Sequence, residues 1–171
     1  MAVREIVFYP NDVLTTKTEP VEEVNDAVRE LVQDLLDTMY DAPGVGLAAP
    51  QIGILKRVAV IDISGPDDPP DPKVLINPEV VERQGEITWE EGCLSFPKLY
   101  EKVDRASDVV VKALNEKGEE VTYEGDELLA VAMQHEIDHL DGKLFIDYLK
   151  PLRRQMITRK MVKLKKERAR E

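Results

Sequence analysis

The sequence predicts an α+β fold: antiparallel or mixed sheets around a central buried helix that carries a metal motif, followed by a C-terminal helix. Three observations lead there. Two segments, residues 26–40 and 128–140, repeat apolar side chains at helical spacing. The segments between them hold short strand-like runs and a hairpin signal. Strands and helices do not alternate in the βαβ manner of a parallel sheet.

The elements follow in order. Val28, Leu31, Val32, Leu35, Leu36 and Met39 mark one face of the first helix, with Asn25 or Asp26 as its cap. A glycine-rich loop over residues 44–53 comes next. Residues 58–63 and 74–76 read as strands, separated by an exposed Pro/Asp-rich loop at 64–72. Residues 109–114 and 121–123 flank Asn115-Glu116-Lys117-Gly118, a hairpin turn. The helix at 128–140 is apolar on most of its surface, which marks it as buried, and Gly142 stands where a helix-ending glycine belongs. A third helix is expected to start near Pro151 and run to the C-terminus. Residues 1–150 would form one catalytic domain, with residues 151–171 as a basic helix packed on it or extending from it.

The chain has 171 residues, enough for one domain with a real core. No apolar run reaches the roughly 18 residues of a membrane span, and the first residues lack the pattern of a secretory signal. A single cysteine cannot form an internal disulfide. These features predict a cytoplasmic protein without a membrane partner. The net charge is -11, yet residues 150–171 hold ten Lys/Arg against two Asp/Glu. An acidic body with a basic arm points to a polyanionic partner, and the alternative is a solvated helix face.

The chemistry concentrates in His135-Glu136-Ile137-Asp138-His139, an H-E-x-x-H sequence on the apolar helix. Histidines four apart project from one helix face and can share a metal ion, while the intervening glutamate can take a proton from water at that ion. The chain has only two histidines, and both are here. Two histidines and a glutamate on a buried helix are costly unless something satisfies them. A catalytic site needs a third ligand. The downstream pattern H-x-x-G-x-x-H fails, because Phe145 stands where the last histidine should, and no Glu occurs between Leu140 and Lys166. Asp141 and Asp147 are weak candidates. Cys93, the only cysteine, is the better one, since a thiolate is a strong ligand for soft metals. In the glycine-rich loop, Gln51 carries an amide donor able to polarise a carbonyl. The loop lacks the Gly-Lys-Ser/Thr ending of a phosphate-binding loop.

Three segments taken together resemble the signature motifs of bacterial peptide deformylases: G-x-G-x-A-A-x-Q at 44–51, EGCLS at 91–95 and QHExDH at 134–139. The resemblance implies metal ligation by Cys93, His135 and His139, with one divalent ion per chain. That ion would be Fe(II), with Zn or Ni also accepted; the donor set alone allows Zn, Ni or Co. It implies Glu136 as general acid/base, and the Gln51 side chain with the Leu94 backbone N–H as oxyanion donors. The substrate would be the N-formylmethionyl end of a nascent polypeptide. Substrate contacts are expected from Val45, Gly46, Glu91 and Gly92, and a methionine pocket from Leu128, Val131 and Ala132, which share the His135 face. Trp89 and Tyr100 are candidate rim residues, and Asp138 a partner for Arg105. The basic helix is expected to dock on the ribosome, and no DNA partner is expected. Two other readings use the same motif: a zinc peptidase, and a non-catalytic protein with a structural metal.

Overall fold

Residues 2–170 are described by the structure, a computed structural model. Its elements are α1 (Asp26–Asp41), β1 (Gly46–Ala48), β2 (Val58–Ile61), β3 (Lys73–Gln84), β4 (Ile87–Cys93), β5 (Phe96–Arg105), β6 (Asp108–Leu114), β7 (Glu120–Asp126), α2 (Glu127–Leu140) and α3 (Pro151–Ala169). Short 3-10 turns occupy Asp12–Thr15, Ala49–Ile52 and Phe145–Tyr148.

Five antiparallel strands pair in the order β1-β2-β3-β6-β7, and β4 and β5 form a separate hairpin. All four residues of β2 are buried, because helices cover both faces of the sheet there. Val58 and Val60 pack with Val28, Leu31, Leu35 and Met39 of α1. Ala59 and Ile61 pack on the other side with Ala130, Met133, Ile137 and Leu140 of α2. Truncating a residue such as Leu35, which is fully buried, to alanine would cost about 2–5 kcal/mol. A third cluster joins β5 (Phe96, Leu99, Val103) to Leu14, to the 145–148 turn and to Ile157 and Met161 of α3. Residues 130–137 of α2 are buried without a break.

Helix ends follow their sequence signals. The Asn25 side chain accepts from Val28 N at 3.1 Å and caps α1. Helix α2 closes with Gly142 at φ 75°, where Gly142 N donates to His139 O and Lys143 N to Asp138 O. A Cβ on Gly142 would also lie 2.8 Å from Thr15 O. Helix α3 packs on the domain rather than extending from it. Ile157 and Met161 are buried, Arg168 sits 3.9 Å above the Phe8 ring, and Lys165 reaches Pro10 O.

The strands differ from the sequence reading in several places: β1 lies within the expected glycine-rich loop, and β7 runs on past Tyr123 to Asp126. β2 ends at Ile61, because the Asp62 side chain turns to Ser64, Tyr40 and the Asp71 N–H. β3 continues through Asn77-Pro78 to Gln84 by a register shift between Ile76 and Glu79. The β4–β5 hairpin has no counterpart among the expected strands.

Candidate metal centre

Two elements converge on one point. Cys93 ends β4, and His135 and His139 lie one turn apart on α2. Cys93 Sγ is 3.3 Å from His139 Nε2, which is 3.2 Å from His135 Nε2. Among the described residues, these three offer ligand atoms that all lie within 4.8 Å of one another. Asp141 instead pairs with Arg57 at 2.7 Å, and Asp147 accepts from Leu144 N at 2.9 Å, so neither carboxylate joins the cluster.

The donor set fits a divalent cation on its chemistry. His135 Nδ1 lies 2.9 Å from Glu91 Oε1, and donation to that carboxylate leaves the Nε2 lone pair free for a ligand. Burial would raise the Glu91 carboxyl, but hydrogen bonds from Arg105 and His135 outweigh it and hold the group below its usual range. The two imidazoles are driven apart. Burial pulls His135 down, yet its contacts with Cys93 and Glu91 and the nearby negative charges lift it well above the usual histidine value. Burial and the His135 and Arg105 charges push His139 well below it. Two ring nitrogens aimed at each other share a single cation, and the thiol beside them makes that place suit a metal ion.

Glu136 is 4% exposed, and burial raises its carboxyl to about 7. A cation in the centre would pull that value back down. Two buried side-chain atoms among the described residues have no partner, Glu136 Oε1 and His139 Nδ1, and both belong here. A buried carboxylate oxygen without a protein partner is costly unless a water, an ion or a ligand meets it. Gly46 makes room for it, since a Cβ there would overlap Glu136 Oε2 and sit 2.9 Å from Cδ.

Gln51 is set by its own loop. Its Oε1 accepts from Ala48 N at 3.0 Å, which turns Nε2 toward Ser95 Oγ at 3.1 Å and Cys93 Sγ at 3.5 Å. Leu94 follows Cys93 in the turn between β4 and β5. Gln134 ties α2 to the β5–β6 connection by bonding both the N–H and the carbonyl of Ala106.

Of these residues, Gln51, Cys93, Leu94, His135 and Glu136 border a cavity of about 630 Å³, and His139 lies behind them. Val45, Gly46, Glu91, Gly92, Leu94, Leu128, Val131 and Ala132 all line it, as do Trp89 and Tyr100. Glu91 has its carboxylate engaged by Arg105 and His135 rather than turned to the cavity. The expected Asp138–Arg105 pair is present at 2.5 Å. Ile6, Phe8 and Arg168 also line the cavity and were absent from the sequence reading. They meet only because α3 returns to the N-terminal segment, and a contact across about 160 residues leaves no local signal.

A family profile described as polypeptide deformylase matches residues 3–155. The chain belongs to this family. A curated peptide deformylase from Pseudoalteromonas translucida is 52% identical over 163 residues, covering 95% of this chain and 96% of that protein. Another, from Hydrogenovibrio crunogenus, is 50% identical over 165 residues, covering 96% and 95%. The crystal structure of a peptide deformylase from Legionella pneumophila superposes with a TM-score of 0.92 at 48% identity, over 99% of each chain. The peptide deformylase from Ehrlichia chaffeensis, solved in complex with actinonin, gives 0.89 at 36% identity, over 95% of this chain and 98% of that one. The α+β architecture with its C-terminal helix is therefore that of polypeptide deformylases, and Cys93, His135 and His139 together offer donors that could hold a divalent metal.

Proposed function

We propose that this chain removes the formyl group from the N-terminal formylmethionine of newly made polypeptides, with water as co-substrate and formate and a free α-amine as products. The observation that carries this reading is the unpartnered Glu136 Oε1, on a residue of the cavity wall, beside the Cys93, His135 and His139 donors. The ion is Fe(II), with Zn, Ni or Co as alternatives. When bound, it supplies a Lewis acid that activates water and polarises the formyl carbonyl.

Glu136 accepts a proton from the attacking water and returns it to the leaving nitrogen as the C–N bond breaks. Gln51 Nε2 and the Leu94 N–H donate to the formyl oxygen as negative charge builds there. Val45 and Gly46 on one side, and the Glu91–Gly92 backbone on the other, hold the substrate extended between β1 and β4. β1 is an edge of the large sheet and β4 pairs only with β5, so both have a free edge for an added strand. Leu128, Val131 and Ala132 receive the methionine side chain.

A structural metal would have four protein ligands. Only three cluster among the described residues, which favours a catalytic site. Formate release from a formyl-Met tripeptide is the deciding assay. Activity on it, none on internal peptide bonds, and competition by actinonin are expected. Cleavage of internal bonds without formate would refute the reading. We further propose that the exposed basic residues of α3 dock the enzyme on ribosomal RNA in the cytoplasm, where nascent chains emerge.

A further inference from the structure

The His135 ring is gripped from two sides by one short segment. Phe145, at the start of the Phe145–Tyr148 turn, places its ring 6.0 Å from the imidazole, centroid to centroid. Tyr148, at its end, reaches the same imidazole through a chain of contacts. Tyr148 Oη donates to Asp138 Oδ2 at 2.7 Å, and Arg105 Nη1 donates to that oxygen at 2.5 Å. Arg105 Nε and Nη2 bracket the Glu91 carboxylate at 2.7 and 2.9 Å. Glu91 Oε1 closes the chain on His135 Nδ1.

The charges explain why the outermost link matters. Two carboxylates flank one guanidinium, so the group carries a surplus negative charge. The surplus is met by a donor at each end, the His135 N–H and the Tyr148 hydroxyl. Arg105 and Glu91 are each 3% exposed, whereas Asp138 is 16% exposed and has water as an alternative partner. Without the hydroxyl, Asp138 can turn outward. Arg105 then loses the partner of Nη1, and its grip on Glu91 loosens. Burial and the Asp138 contact push the Tyr148 hydroxyl up to about 12, so at neutral pH it remains the donor. Its ring is also fixed, 4.7 Å from Arg105 Cζ.

We propose that Tyr148 is a positioning residue for the metal centre, acting through Asp138, Arg105 and Glu91 to hold the His135 ring in its ligating orientation and so to set how tightly the metal is retained. The proposal rests on the metal reading of the site. Because the 145–148 turn leads directly into α3, it also ties the seating of that helix to the metal ligand.

The test uses the full chain loaded with zinc. Tyr148→Phe keeps the ring and deletes only the hydroxyl. A direct partner of a ligating histidine is worth about 10–100-fold in metal affinity. A residue three links further out is expected at the lower end, so zinc transfer to a chromophoric chelator should be about tenfold faster. Melting of the metal-free variant should match the parent. In the zinc-loaded protein, the His135 Nδ1 proton seen by NMR should exchange faster with water. Asp138→Asn should move both readouts the same way. Tyr40→Phe removes a comparable tyrosine–carboxylate bond, to Asp62 at 2.6 Å on α1's side of the sheet, and should leave zinc release unchanged. Parent-like zinc release and proton exchange in both Tyr148→Phe and Asp138→Asn would overturn the proposal alone. A parent chain that takes up no zinc would overturn the reading of the site and the proposal with it.

Discussion

Gly46 lies directly against Glu136, so closely that a single methyl on the glycine would occupy the space of the carboxylate. Glu136 of α2, the base in the proposed reaction, and the first residue of β1 therefore share one volume. Gly46→Ala should displace the carboxylate and lower kcat toward that of Glu136→Gln, a loss of about 10²–10⁴-fold. Both variants should retain metal, because neither residue is among its ligands. A Gly46→Ala enzyme with parental kcat, or a Glu136→Gln enzyme that keeps full activity, would show that the proton is handled elsewhere.

Cys93 is the only thiol in the chain, so its reactivity reads the metal centre without interference. Thiol reagents should modify the metal-free protein and react far more slowly with the loaded one, since a ligating sulfur is blocked. Chelation should abolish activity and added divalent ion restore it. Equal thiol reactivity in the two forms would remove Cys93 from the ligand set.

Asp62 is buried and accepts hydrogen bonds from Tyr40, from Ser64 and from the Asp71 N–H. Burial works against its charge, but these bonds prevail and lower the carboxyl to about 2. A depressed folded-state value means the native state binds fewer protons than the unfolded chain. The stabilisation is thus complete above the unfolded value of about 3.9, and it fades as pH falls toward 2. The stability gap between the parent and Asp62→Asn should be constant near neutrality and shrink across that acid window. A gap that stayed constant down to pH 2 would contradict the assignment.

Ribosome docking should be electrostatic and weaken steeply as salt rises. Deleting residues 153–171 is a poor test, because Ile157 and Met161 belong to the core. Reversing the exposed Arg159, Lys160 and Lys163 to glutamate leaves those anchors in place. Formate release from a free peptide should be unchanged and ribosome cosedimentation lost. Cosedimentation that persists in the reversed variant would rule out this face.

The helices and the metal motif were legible in the sequence because they rest on local rules. The α1 stripe, the Asn25 cap, Gly142 and the H-E-x-x-H spacing all act within a few residues. The β4–β5 hairpin was not. The one buried position of β4 is Glu91, a charged residue whose cost is met by Arg105 and His135, and it interrupts the apolar alternation of Ile87, Trp89 and Cys93. In β5 the inward residues are Phe96, Leu99, Val103 and Arg105, and Lys98 at φ 62° breaks their spacing. β3 looked finished at Ile76 because Asn77, at φ 51°, and Pro78 resemble a strand end, yet the strand resumes beyond them. That Cys93 stands with the two histidines could be argued from what the downstream residues lacked. The Glu91 contact to His135, by contrast, needed the folded hairpin to be seen.

The knot of contacts at the end of α2 also orders events in time. Gly142 abuts Thr15, Thr18 bonds Leu140 O through both its N–H and its hydroxyl, and Arg57 reaches Leu140 O and Asp141. The partners on one side are synthesised first, and those on the other more than 80 residues later. Such long-range closure is slow and comes late. An emerging chain therefore presents Cys93 before His135 and His139 exist, and the two sides of this knot can meet only after residues 140–142 have been made.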